Sequence, residues 1–316
     1  MAEPAATADG LLGRWLAERG EDLAVELRGR ATVGLSQETW FVRVGESEAV
    51  LRLPTPASGR RAIRTQIASL RAVAGSSVPA PAVLWSDAGE DNPFGRPFLV
   101  MERVAGEVPV GWHAVPDPPR GRLAIEAVEA LAALHRLAPP ELDGEAPSSP
   151  TDLDFFGPRL ERFGPLPAVL RGALWWLERN RPPAAAPAFV HGDFRMGNLV
   201  VAGDRLAAAL DWEMAGRGDP LADLAWCFIP LWEPVEVDEA ELIRRYGEAR
   251  GVPVDPDEFR WHRVLGFVRL AYYALSGTKA FDAGNSDDLR LAALRLQLPV
   301  HLDRLASTLA GRGVTI

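Results

Sequence analysis

Between residues 189 and 201 the chain reads FVHGDFRMGNLVV. Two apolar, strand-like runs are interrupted by an acid, an amide and two glycines. A little further on, GDR makes a turn and LAAALDW runs back as a returning strand. Asn198 follows Asp193 by five residues, and Asp211 follows it by eighteen. A strand, turn and strand between Asn198 and Asp211 folds Asp211 back beside Asn198. Two carboxylates and an amide oxygen then meet at one edge, and all are hard oxygen donors. Magnesium takes few protein ligands of this kind and completes its shell with water and phosphate. With Asn198 and Asp211 as the metal pair, Asp193 stands free to orient a hydroxyl. An acid after glycine is by itself ordinary turn chemistry; the spacing is what carries the inference.

The flanking sequence sets this knot in a two-part chain. Residues 11–20, LLGRWLAERG, have helical periodicity and stop at Gly20. TWFVRV and EAVLRL alternate as strands joined by the turn GESE. Residues 60–75 read as an amphipathic helix closed by Gly75, after which Pro79 and Pro81 force extended chain. PAVLWSD and RPFLVMERV are strand-like. After Gly106 the composition changes: residues 122–137 and 166–180 are helices separated by the Pro- and Ser-rich stretch 138–150, and helical patterns dominate from Leu221 onward. The expectation is an α+β chain with a small β-rich lobe, residues 1–104, and a larger, mainly helical lobe, residues 105–316. The two join near Glu102 to Gly106. No internal repeat is visible.

Composition excludes several classes of function. Acidic residues outnumber basic ones, 43 to 34, giving a net charge of −9, whereas a nucleic-acid binder carries a basic footprint. The single cysteine, Cys227, forbids an internal disulfide and fits a reducing compartment. No basic, apolar leader is visible at the N-terminus, and no apolar run is long enough to span a bilayer. The expected setting is the cytoplasm, with no membrane and no nucleic-acid partner.

The series Asp193, Asn198, Asp211 resembles the catalytic loop and metal-binding aspartate of protein kinases. HGD in place of HRD resembles the aminoglycoside phosphotransferases, a family of kinase-like small-molecule phosphotransferases. The longer stretch HGDFRMGNLVV to ALDWEMAGRGDPLADLAW is similar to the kinase-like domains fused to acyl-CoA dehydrogenases. The resemblance implies a bilobal protein-kinase-like fold, ATP and Mg2+ as cofactors, and a small-molecule hydroxyl as acceptor. It implies that Asp193 is the catalytic aspartate and Asn198 and Asp211 the metal ligands. Arg195 would neutralise the transferring phosphoryl group. His191 would buttress the loop, Glu213 is a possible supporting acid, and Asp223 would anchor the loop backbone. Asp219 with Pro220 reads as a helix cap.

In the smaller lobe the resemblance places the backbone of Glu102 and Val104 beside the adenine and GLSQ, including Ser36, over the phosphates. Two departures stand out. VLRLP puts Arg52 where the family has a lysine, and Gln66 stands at the position of the glutamate that pairs with it. Gln66 can accept one hydrogen bond from Arg52 but cannot form an ion pair, so either phosphate positioning is weaker or another acid substitutes. The absence of DFG, APE and an activation segment argues against a protein kinase; a pseudokinase that only binds nucleotide is the alternative. For the acceptor, residues 231–260 hold nine acids and four arginines, which suits a polyamine or is simply a solvated helix face. Residues 259–275 are aromatic and carry Arg260, Arg263 and Arg269, which could meet an anionic substrate. A hydroxylated molecule with an apolar portion, such as a hydroxyacyl compound, is expected first, and an aminoglycoside second.

Overall fold

A computed structural model of the chain describes residues 7–31, 37–55, 59–116, 119–142, 149–229 and 238–311. After helix α1 (Ala8–Ala17), a five-stranded antiparallel sheet contains β1 (Val25–Arg30), β2 (Gln37–Val44), β3 (Ser47–Pro54), β4 (Val83–Asp87) and β5 (Phe98–Glu102). Its order is β1-β2-β3-β5-β4. The hairpin β2–β3 is in register from Gln37↔Pro54 to Val44↔Ser47, turning at Gly45 with φ +57°. Period-two alternation splits its side chains. Val42, Val44, Ala49, Leu51 and Leu53 join Leu12, Trp15 and Leu16 of α1 in one apolar cluster, while Val50 and Leu99 face α2 (Gly59–Val73). Arg52 is therefore on the α2 side of the sheet.

The rest is mainly helical: α3 (Pro119–Leu134), α4 (Leu153–Glu161), α5 (Ala168–Arg179), α6 (Pro220–Cys227), α7 (Glu239–Arg250), α8 (Pro256–Asp282) and α9 (Leu289–Leu309). Aspartates cap the last four of these. Asp219, Asp238, Asp255 and Asp288 each accept a backbone N–H of the first turn, and Pro220 and Pro256 take the first helical position, where no donor is needed. Two short ribbons lie on this helical body: β6 (Ala188–Val190) with β9 (Gly216–Gly218), and β7 (Leu199–Ala202) with β8 (Arg205–Ala209).

The segment after β5 is tied to the helical body. Glu107 exchanges both backbone hydrogen bonds with Val201, at 2.9 and 2.8 Å. The largest core cluster runs without a break from Ile63, Ile67 and Leu70 on α2, through Leu123 to Leu131 on α3, to Phe189, Trp212 and Tyr246. A second cluster joins α4, α5, α8 and α9. Three elements are absent from the sequence reading: β1, α4 and β9. No helix among the described residues is long and apolar enough to cross a membrane.

Candidate active site

β6 ends at Val190, and the chain turns through His191 and Gly192 into the acid. Gly192 has φ +82°, and a Cβ there would stand 2.4 Å from the Met214 carbonyl oxygen, so only glycine fits. The loop is fixed from beneath by Asp223 on α6, which is fully buried. Its carboxylate accepts the amides of His191 (2.5 Å) and Gly192 (2.8 Å) and faces His135 Nε2 at 3.3 Å. Burial works against the charge on Asp223, yet the His135 hydrogen bond and the loop amides hold its pKa below the ordinary carboxylate value. Burial lowers the pKa of His191, which stays neutral. Its Nε2 donates to the Leu210 carbonyl (3.0 Å), and its Nδ1 accepts the Asp193 amide (3.2 Å). His191 thus ties the loop to the end of the β7–β8 ribbon.

The ribbon does what the spacing demanded. Leu199 pairs with Ala209, and the Leu210 amide bonds to the Asn198 carbonyl at 2.7 Å. Asp211 follows at once in the left-handed region (φ +67°), the single non-glycine residue with positive φ among the described residues. Asn198 Nδ2 donates to the Asp193 carbonyl (2.8 Å) and to Asp193 Oδ2 (2.7 Å), which turns the Asn198 side-chain oxygen away from that contact. The expectation that Asp193 stands free is corrected. Its carboxylate also accepts Arg195 Nε at 3.2 Å from both oxygens and Trp226 Nε1 at 2.7 Å, and Arg269 Nη2 lies 3.6 Å away.

Arg52 reaches across from β3. Both terminal guanidinium nitrogens lie 3.1 Å from Asp211 Oδ1, and one donates to Gln66 Oε1 at 3.0 Å. Gln66 makes the single hydrogen bond expected of it, and the acid that Arg52 pairs with is Asp211. Glu213 accepts Gln37 Nε2 at 2.7 Å, a second link between the sheet and the helical body, this one from β2. At the connecting strand, the Glu102 amide is committed to the Ala82 carbonyl (2.9 Å), so only its carbonyl could meet a base, and Val104 is half-buried just beyond. Ser36 lies outside the described residues.

The expected acceptor features divide. Of the acids of α7 and the start of α8, Asp238 and Asp255 are helix caps and three are ion-pair partners: Glu239 binds Arg263 at 2.6 Å, Glu241 binds Arg244 and Arg245, and Glu248 binds Arg244. They form the solvated face of a helix; residues 230–237 lie outside the described residues. The three arginines do not converge on one anion. Arg260 donates to the Leu309 carbonyl, Arg263 pairs with Glu239, and Arg269 is buried against the loop that carries Asp193. Trp226, at Asp193, was not singled out by the sequence, and Arg269, expected as a contact for an anionic substrate, lies beside Asp193 instead. Trp226 does lie in the motif stretch that ends DLAW, the one signal that could have pointed to it.

A five-stranded sheet and a helical body, with an aspartate, an asparagine and a second aspartate brought together between them, fit the bilobal protein-kinase-like fold that the solved structures below share. Residues 30–264 match the profile described as Phosphotransferase enzyme family, APH, and the chain belongs to that family. It is 28% identical over 254 residues to mouse (Mus musculus) acyl-CoA dehydrogenase family member 10, covering 72% of this chain and 23% of that protein. It is 28% identical over 315 residues to rat (Rattus norvegicus) acyl-CoA dehydrogenase family member 11, covering 84% and 38%. The chain spans well under half the length of these relatives. Among solved structures, a candidate aminoglycoside phosphotransferase from Ralstonia eutropha superposes with a TM-score of 0.75 at 21% identity, covering 96% of this chain and 98% of that one. A thermostable mutant of aminoglycoside phosphotransferase APH(4)-Ia, in ternary complex with AMP-PNP and hygromycin B, gives 0.65 at 18% identity, covering 96% and 99%.

Proposed function

We propose that this chain is an ATP-dependent phosphotransferase that moves the γ-phosphoryl group to a hydroxyl of a small molecule. The observation that carries the reading is the joint geometry of Asp193, Asn198 and Asp211. Asn198 spends its Nδ2 hydrogens on Asp193, leaving a side-chain oxygen to offer, and Asp211 is delivered beside it by the β7–β8 ribbon. Two oxygen donors of this type fit Mg2+, which would take its other ligands from water and phosphate; when bound, it would neutralise phosphate charge. Asp193 orients the acceptor hydroxyl and takes its proton. Arg195 is the most exposed donor on Asp193, with 26% of its side chain accessible, and it exchanges that carboxylate for the transferring phosphoryl group. Arg52 contacts the nucleotide phosphates, together with Ser36. The Glu102 carbonyl and Val104 amide receive the base. In this reading residues 1–104 hold the nucleotide, residues 105–316 hold the catalytic loop and acceptor, and the reaction takes place in the cytoplasm.

The relative solved with AMP-PNP and hygromycin B supports an adenine nucleotide and a hydroxylated acceptor. For the acceptor, the partly buried rings of Phe155, Phe163, Tyr272 and Tyr273 extend from the Arg269 side of Asp193. This favours a molecule with an apolar portion, such as a hydroxyacyl compound, over an aminoglycoside. One observation favours the second reading, a nucleotide-binding regulatory module: Arg52 rests on Asp211, the residue that would bind metal.

Phosphoryl transfer from ATP with Mg2+ to a panel of hydroxyacids, their thioesters and aminoglycosides tests both readings. Asp193→Ala should lower turnover by ~10²–10⁴-fold, the usual contribution of a positioned base, and leave ATP binding nearly intact. Transfer to no member of the panel, with ATP still bound, would favour the regulatory module. Efficient transfer to aminoglycosides alone would reverse the order of acceptors.

A further inference from the structure

We propose that Trp226 and Arg269 are positioning residues for Asp193, which deepens the phosphotransferase reading and rests on it. A carboxylate offers about four lone-pair sites. On Asp193 the buried donors approach from the protein side: Trp226 Nε1 at 2.7 Å from Oδ1 and Asn198 Nδ2 at 2.7 Å from Oδ2. Arg195 covers the carboxylate from the accessible side with a longer, shared contact of 3.2 Å to both oxygens. An incoming hydroxyl therefore displaces Arg195, while the inner donors stay in place.

Arg269 organises that inner side. It is 3% exposed, deep in the middle of α8. Its Nη2 donates to the Gly192 carbonyl at 2.7 Å and lies 3.6 Å from Asp193 Oδ1. Its guanidinium stacks on Trp226, with Cζ 3.8 Å from the ring centroid, a contact that fixes the indole whose N–H holds Asp193. Its Nε donates to the Tyr273 hydroxyl at 3.1 Å, and that hydroxyl points to Met214 Sδ at 3.9 Å. Burial raises the Tyr273 pKa, so the hydroxyl keeps its proton. One buried cation thus fixes the loop backbone, the indole and a tyrosine that belongs to the partly buried aromatic wall. A buried guanidinium with these partners fixes geometry, because each contact is directional.

The test compares Trp226→Phe, Arg269→Lys, Arg269→Met and Tyr273→Phe in the full chain. Trp226→Phe and Arg269→Met should lower kcat about ten- to a hundredfold, the usual cost of losing a group that orients a catalytic side chain. The KM for ATP should stay within about twofold, and calorimetry should still find one ATP site per chain. Arg269→Lys should recover part of the loss. A parallel readout needs no turnover: the indole N–H resonance of Trp226, assigned by its disappearance in Trp226→Phe, should shift in Asp193→Asn, in Arg269→Met and, less, in Tyr273→Phe. An indole resonance unmoved by Asp193→Asn and Arg269→Met overturns the proposal, as does a kcat unchanged in both Trp226→Phe and Arg269→Met. A wild-type chain that transfers no phosphoryl group while the indole shifts occur would overturn the phosphotransferase reading and leave the positioning network standing. If Arg269→Met does not fold, the Trp226→Phe kinetics and the Tyr273→Phe resonance decide.

Discussion

Arg52 shows how one substitution redirects a site. With Gln66 opposite it, the guanidinium meets no acid on α2 and pairs with Asp211, both terminal nitrogens on one oxygen. Charge-assisted hydrogen bonds of this kind contribute about 1.5–3 kcal/mol each, so in the proposed phosphotransferase Arg52 would compete with a metal ion for Asp211 until a phosphate drew it away. Arg52→Ala should therefore act with opposite signs. It should weaken ATP, and it should tighten Mn2+ binding to the nucleotide-free protein by roughly tenfold, as read by paramagnetic relaxation of water. Gln66→Glu should tighten Mn2+ too, because it offers the arginine another acid. Weaker Mn2+ binding in both variants would show that Arg52 does not compete for Asp211. The three acids and amides of the site were legible in the sequence because they lie within nineteen residues of one chain segment, Asp193 to Asp211. Trp226 was not legible as a site residue, and Arg269 was read as a substrate contact and not as a neighbour of Asp193, because both meanings depend on how α6 and α8 pack onto the loop, which no periodicity encodes. The notion of a free Asp193 failed for the same reason.

At the scale of elements, hairpins and amphipathic helices were read within a few residues, since period and turn chemistry are local. The three missing elements each lack that signal. β1 (VELRGR) is an edge strand with an exposed, charged pattern, α4 carries Gly157 and Pro158, and β9 is GRG, which has almost no side chains to alternate. The segment after β5 also hides its constraint. Gly106 adopts φ +137°, and a Cβ there would stand 2.5 Å from the Val201 carbonyl oxygen, the atom that accepts the Glu107 amide. That clash is with backbone, so no side-chain rotation relieves it. Gly106→Ala should cost about 1–3 kcal/mol through strain at this position, and the Glu107–Val201 bridge should open. Urea unfolding should show the loss in midpoint, and amide exchange at Glu107 and Val201 should quicken. Unchanged protection at those two amides would mean that the bridge does not depend on Gly106.

The whole molecule is knit by one core cluster that spans the sheet side and the helical body, and at its centre lies a set of buried polar groups sensitive to acid. His135 bridges the Tyr246 hydroxyl (2.6 Å) and Asp223 (3.3 Å), while His191 ties the Asp193 loop to the Leu210 carbonyl. Burial lowers the pKa of His135, of His191 and of the more peripheral His301 below the ordinary value of 6.5. In the unfolded chain these imidazoles titrate near 6.5. As pH falls below that value the unfolded chain binds protons that the native chain does not, so acid favours unfolding. The histidine contribution is complete above the unfolded pKa and is lost as pH falls from there toward the lower folded values. Asp223 behaves as a depressed carboxylate: its contribution is present above the ordinary 3.8 and is lost as pH falls through its folded value, in a more acidic window. The first loss of stability on acidification is therefore histidine protonation. The melting midpoint should be flat above about pH 7 and fall below about pH 6.5, each histidine steepening the stability curve by up to ~1.4 kcal/mol per pH unit. His135→Gln, which can still donate to Asp223, should make the slope shallower by one proton. A midpoint that stays level to about pH 5.5, or a slope unaltered in His135→Gln, would place the acid sensitivity elsewhere.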